Sequence, residues 1–160
     1  MTDTTPIQQP VTGRENLDEL APPERALAQF YKALNGRDIA LMEQNWDPTR
    51  EAVMDNPLGG IKRGWAEIRP TYERLFAAPG SYSFEFWDYT RHQGGDVFWV
   101  VGRERGSLTG ADGALDLAIR TSRIFRSIGG TWRQVHHHGS IEDPDMLARY
   151  LRRVGAARSE

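Results

Sequence analysis

Apolar residues recur at helical spacing in the first half of the chain and at strand spacing in the second. Leu27, Phe30, Tyr31 and Leu34 share one face of a helix that opens at Pro22-Pro23-Glu24 and ends at Asn35-Gly36. Asp38 caps a second, short helix over Ile39–Trp46, whose packing side is Leu41, Met42 and Trp46. A third helix spans Trp65–Ala77, with Trp65, Ile68, Tyr72, Leu75 and Phe76 as its stripe and Pro70 as a source of irregularity near its middle. Between the second and third helices, Glu51–Asp55 reads as a short extended segment followed by an Asn56–Gly60 turn.

From Tyr82 the period drops to two. Four long strands are predicted, over 82–92, 97–108, 114–128 and 131–141, joined by Gly94-Gly95-Asp96, Gly110–Gly113 and Gly129-Gly130 turns. On the first of them Phe84, Phe86, Asp88 and Thr90 face one way, and Trp87, Tyr89 and Arg91 the other. Pro144 opens a last helix with Met146, Leu147, Tyr150 and Leu151 on one side. Helices first and strands afterwards argue α+β, with helices on one face of an antiparallel meander. The domain is expected to cover 21–155, between flexible tails at 1–20 and 156–160. Several strands carry bulky residues on both faces, and few helices remain to cover the second. A homodimer through the outer sheet face is therefore expected.

Alternation makes the last strand the candidate site. Trp132, Gln134, His136, His138 and Ser140 share one parity; Arg133, Val135, His137 and Ile141 take the other. An indole, an amide, two imidazoles and a hydroxyl on one face read as a half-apolar pocket wall. Histidine titrates near neutral pH, so His136 and His138 are the candidate acid/base groups, or else hydrogen-bonded fixtures of the wall. Arg120 shares a parity with Ser122, and reads either as a fork for a ligand carboxylate or as half of an internal ion pair with Glu104 or Asp116. Two imidazoles two residues apart lack a third metal ligand that the spacing selects, so neither metal nor cofactor is expected.

Composition narrows this only by exclusion. The net charge is −2, which supplies no basic field for nucleic acid and no polybasic membrane patch. There is no Cys, which removes disulfides and thiolate chemistry. No apolar run approaches a membrane span and no secretory pattern opens the chain, so a cytoplasmic protein is expected. No Gly-rich segment has a phosphate-loop pattern, and no strained turn presents Ser140 as a nucleophile.

The order helix, helix, short strand, helix, meander, with Trp132-Arg133-x-x-His136-x-His138-x-Ser140 in the final strand, resembles the nuclear-transport-factor-2-like superfamily. More narrowly it resembles its SnoaL-like group of small bacterial domains, over roughly residues 22–143. Ala33-Leu34-Asn35-Gly36-x-Asp38, Asp55-Asn56-Pro57-Leu58-Gly59 followed by Gly64, and Arg120-x-Ser122 carry the likeness with the final strand. It implies a cystatin-like cone: a curved antiparallel sheet wrapped by three N-terminal helices, plus here a short C-terminal helix, enclosing a ligand pocket. The related ketosteroid isomerases imply where catalytic groups would fall. Their carboxylate base falls on Asn56, an amide that takes up no proton near neutral pH. Their phenolic donor falls on Phe30, one residue from Tyr31, and their acid donor near Ser122. Steroid isomerisation is therefore not expected.

Two readings stand. One is a small-molecule pocket, possessed of cofactor-independent isomerase or lyase chemistry on a small, largely apolar carbonyl compound. His136 or His138 is then acid or base, and Tyr31, Asn56, Trp65, Arg120, Ser122, Trp132 and Ser140 bind the ligand. The other is a non-catalytic ligand-binding or association module, similar in its final strand to the association domain of calmodulin-dependent kinase II.

Overall fold

The structure, a computed structural model, describes residues 4–155. Helices α1 (Pro22–Gly36), α2 (Ile39–Asn45) and α3 (Trp65–Ala77) precede the long strands β3 (Ser81–Gly94), β4 (Val97–Gly110), β5 (Gly113–Ile128) and β6 (Thr131–Ser140). Two short strands, β1 (Val53–Asp55) and β2 (Lys62–Arg63), lie between α2 and α3, and α4 (Pro144–Gly155) ends the fold. The six strands form one sheet in the order β2-β1-β6-β5-β4-β3. All neighbours are antiparallel except β1 and β6, which run parallel. The fold is α+β, as the change of period predicts. Asp38 caps α2 through its carboxylate on the Leu41 amide, and α3 runs through Pro70 without a break.

The inner face of the sheet carries Phe84, Phe86, Phe98, Val100, Leu117, Ile119 and Phe125. It packs against Leu27, Phe30 and Tyr31 of α1, Met42 and Trp46 of the α2 segment, and Ile68 and Tyr72 of α3. Helix α4 adds Met146, Leu147 and Tyr150 to the same core, and Arg153 donates to the carbonyls of Leu108 and Gly113. Among the described residues no helix is long and apolar enough to cross a membrane.

Two bulges change which side chains face the core. On β3 the pairing steps from Trp87↔Arg103 to Thr90↔Val101, and Asp88 adopts a left-handed φ of 48°. An extra residue there reverses the parity beyond it. Tyr89 and Arg91, expected opposite Phe86, therefore join its side. Tyr89 packs on Phe86 with ring centroids 4.9 Å apart, and Arg91 pairs with Glu24 of α1. Gly102 makes room for this: a Cβ there would stand 2.4 Å from the Cβ of Tyr89. On β6 the register steps from Phe125↔Gln134 to Ile124↔His136, leaving Val135 as the extra residue.

Residues expected as an N-terminal tail are built into the fold from Ile7 onward. Ile7 and Val11 exchange backbone hydrogen bonds with Tyr89 and Phe86, at 2.7–3.2 Å, along the edge of β3. A short 3-10 turn, Leu17–Glu19, then leads to α1, held by Arg25 on the Leu17 carbonyl. An edge strand needs such cover, because its free amides and carbonyls otherwise pair with another chain. The C-terminal stretch 156–160 lies outside the described residues.

Candidate functional site

The bulge at Val135 divides the expected pocket wall between the two faces of the sheet. Trp132 and Gln134 keep the inner side. Beyond the bulge the inner side passes to His137, which is buried, while His136 and His138 stand on the outer face with side chains 31% and 49% exposed. The expectation that His136 and His138 share the cone interior with Tyr31 is corrected by that one extra residue. Two polar clusters result, one on each side of the sheet.

The inner cluster is a closed network. Glu104 of β4 and Arg123 of β5 fall on the apolar phase of their strands and meet in the core. Arg123 Nη2 lies 2.5 Å from Glu104 Oε1, its Nη1 donates to Gln134 Oε1 at 2.7 Å, and its Nε reaches the Tyr31 hydroxyl at 3.4 Å. Tyr31 donates to Glu104 Oε1 at 2.7 Å, and Gln134 donates to Asn45, which caps a carbonyl of α1. The guanidinium also lies 3.6 Å from the Phe30 ring centroid. Burial alone would lower the pKa of Arg123, but Tyr31 and Glu104 opposite it outweigh that and hold it raised. Burial likewise pushes the Tyr31 phenol well above its ordinary value, against the pull of Arg123. Arg123, Tyr31, Gln134 and Asn45 are each at most 1% exposed, so side chains of the chain itself fill this part of the cone. Next to the network, His137 has no hydrogen-bond partner on either ring nitrogen. Burial, reinforced by Arg123, lowers its pKa well below the usual imidazole range and keeps it neutral.

The outer cluster gathers the titratable groups that water can reach. The parallel β1–β6 register sets Asp55 beside His138. Asp55 Oδ2 lies 2.7 Å from His138 Nδ1, and Oδ1 lies 3.8 Å from His136 Nε2. Oδ1 is buried and has no hydrogen-bond partner. A carboxylate on Nδ1 fixes the proton there and leaves Nε2 as the free acceptor of the ring. His138 opens on a depression of about 470 Å³ whose wall includes Asp88, Arg103, Arg120, Ser122 and Ser140. Arg120 donates to Ser140 Oγ at 3.2 Å, and its ion-pair partner is Glu142, in place of the expected Glu104 or Asp116.

Four expected site residues thus meet in one place: Arg120, Ser122, His138 and Ser140. The other five do not join them: His136 stands beside Asp55 without lining the depression, and the remaining four lie elsewhere. Tyr31 belongs to the inner network. Asn56 closes a turn by accepting from the Leu58 amide. Trp65 is buried against Tyr72 and donates to Glu43. Trp132 lines a separate depression of about 360 Å³ with Arg25, Gln29 and Arg133. Asp55, Arg103 and Glu142 of the outer cluster, and Glu104 and Arg123 of the inner one, were not among the expected site residues. The last two left a signal, each being a lone charge on the apolar phase of its strand. Among the described residues no group of three or more His, Asp or Glu side chains is placed to hold a metal ion.

Comparison with known proteins agrees with the fold. A candidate calcium/calmodulin-dependent protein kinase type II association domain from Thiobacillus denitrificans superposes with a TM-score of 0.68. The two are 23% identical, over 78% of this chain and 98% of that one. A candidate dehydratase of the nuclear transport factor 2-like family from Streptomyces avermitilis gives 0.68 at 19% identity, over 75% and 93%. The calcium/calmodulin-dependent kinase II hub of S. rosetta gives 0.66 at 17% identity, over 76% and 98%. No curated protein sequence matches the chain. The family model for the SnoaL-like domain matches residues 24–144, three-quarters of the chain and every residue of the two clusters. The chain belongs to the SnoaL-like domain family.

Proposed function

We propose that the chain is a small-molecule-binding SnoaL-like domain whose acid/base group is the Asp55–His138 pair on the outer sheet face. The observation that carries this reading is the 2.7 Å contact between Asp55 Oδ2 and His138 Nδ1 beside the depression. The pair orients the imidazole and stabilises the imidazolium that forms when Nε2 takes a proton. A proton bound to carbon next to a carbonyl is a fitting target. Ser122 and Ser140 offer hydroxyl donors to the enolate oxygen that develops. Isomerisation and dehydration of a small carbonyl compound both begin with that step, and neither needs a cofactor.

The test is exchange of carbon-bound protons with D2O, followed by proton NMR for a set of short ketones and keto acids. His138→Gln should slow exchange about 100-fold in any compound the wild type turns over, with the thermal midpoint unchanged. An exchange rate that survives the substitution removes His138 from the chemistry.

A second reading, a non-catalytic association module, is favoured by one observation. Trp99 and Val101, on the same outer face, are 37% and 48% exposed. A second copy covering them would make a homodimer.

A further inference from the structure

The β4–β5 register places Arg103 directly opposite Arg120. Two like charges facing each other across a ladder repel, so this pair needs an anion near it. The anions present are carboxylates of the chain. Arg120 Nη1 lies 3.2 Å from Glu142 Oε1, and Arg103 Nη1 lies 3.8 Å from Glu142 Oε2. Arg103 Nε also lies 3.3 Å from Asp88 Oδ2. Glu142 follows β6, and the two arginines it meets both line the depression. One carboxylate therefore sits with an oxygen toward each of two guanidiniums, 3.2 and 3.8 Å away. Both arginines and Glu142 are about half exposed, at 48%, 55% and 56%, so water screens these pairs. A carboxylate from solution can take the place of the Glu142 carboxylate at small cost. Guanidiniums hold carboxylates with directional, charge-assisted hydrogen bonds, which suits the exchange.

We propose that the outer depression binds the carboxylate of a small keto acid between Arg103 and Arg120, at the position now held by Glu142. Bound there, the rest of a short ligand lies over Ser122, Ser140 and His138, which line the same depression. The hydroxyls are donors for its carbonyl oxygen, and the free imidazole nitrogen faces its carbon-bound protons. Glu142 is then a built-in competitor. The choice of a keto acid over a simple acid rests on the Asp55–His138 reading; the capture of a carboxylate does not.

The test uses acetoacetate as the probe, titrated into the full chain by calorimetry and by NMR of the arginine side-chain resonances. Glu142→Gln should tighten binding about tenfold, and Arg120→Gln or Arg103→Gln should weaken it by at least about tenfold. Each side chain is exposed, and unchanged far-ultraviolet dichroism and melting confirm that the variants fold. Affinity indifferent to Glu142→Gln and to both arginine substitutions overturns the proposal. So does absence of acetoacetate binding with a loss of self-association in Arg120→Gln, which assigns the arginines to an interface between copies. Binding that follows the arginines while deuterium exchange ignores His138→Gln leaves the carboxylate site standing and removes the acid/base reading alone.

Discussion

At the scale of the residue, Arg123 shows how a charge can sit in a core. It is 1% exposed, and every face of its guanidinium is used: Glu104, Gln134 and Tyr31 in its plane, Phe30 on its flat side. Removing two ions from water is costly, and the hydrogen bonds around the pair offset much of that cost without making it a large net gain. The asymmetry lies in breaking it. Arg123→Met leaves Glu104 without its cation, 5% exposed among aromatic rings. The expected loss is about 3–5 kcal/mol in urea unfolding. The double substitution Arg123→Met with Glu104→Leu should recover a large part of that loss. If the double variant is as unstable as the single one, the pair is not what holds this part of the cone.

At the scale of the element, legibility followed punctuation. Pro22 and Asp38 open helices with residues whose chemistry admits few alternatives, and the glycine turns do the same for the hairpins; α1 itself closes on Arg37, at a left-handed φ of 53°, which no glycine marks. The bulges had no such mark. In β6 the phase was hidden because 136, 137 and 138 are all histidine, so either parity offers an imidazole to the core. In β3, Phe86, Trp87 and Tyr89 put aromatic rings on both parities around Asp88. Alternation cannot reveal an inserted residue when both phases look alike. Pairs that depend on register, such as Asp55 with His138 or Arg103 with Arg120, were out of reach for the same reason. The role of the N-terminal stretch is not legible in its polar composition, because it is made of backbone hydrogen bonds. Ile7 and Val11 cover the edge of β3, and Gln8 donates to Asp88 at the bulge. Removing residues 1–12 should expose that edge and promote association in a concentration-dependent manner. Light scattering of the truncated chain checks this; a truncated chain that stays monodisperse, with the wild-type mass, argues that the edge is already protected by its twist.

At the scale of the whole molecule, the sheet separates two tasks. Its inner face is closed by α1, α3 and α4 over a network with no unused guanidinium, and its outer face carries the groups that water reaches. That outer face also holds Trp99, stacked on His92 at 5.1 Å, and Val101 at the wall of the depression. Around them stand Arg103, Arg105 and Arg120 with Glu85, Asp88 and Glu142. Trp99 and Val101 give such a face an exposed apolar area that a second copy, related by a two-fold axis, can cover. The expected species is a homodimer of twice the 18.1 kDa chain. Val101→Arg adds a fourth arginine to this patch beside Arg103, Arg105 and Arg120, and removes an exposed apolar contact. It should convert the dimer to a monomer in sedimentation equilibrium while leaving the core, which Val101 does not enter, at its wild-type melting temperature. A wild-type chain that sediments at 18.1 kDa at all concentrations would leave Val101 as a wall of the depression and Trp99 as an exposed ring stacked on His92, and nothing more. If the dimer forms, its partner copy lies over the depression, and ligand and self-association are then linked. Acetoacetate should shift the dimer midpoint by the same factor by which dimerisation changes its own affinity.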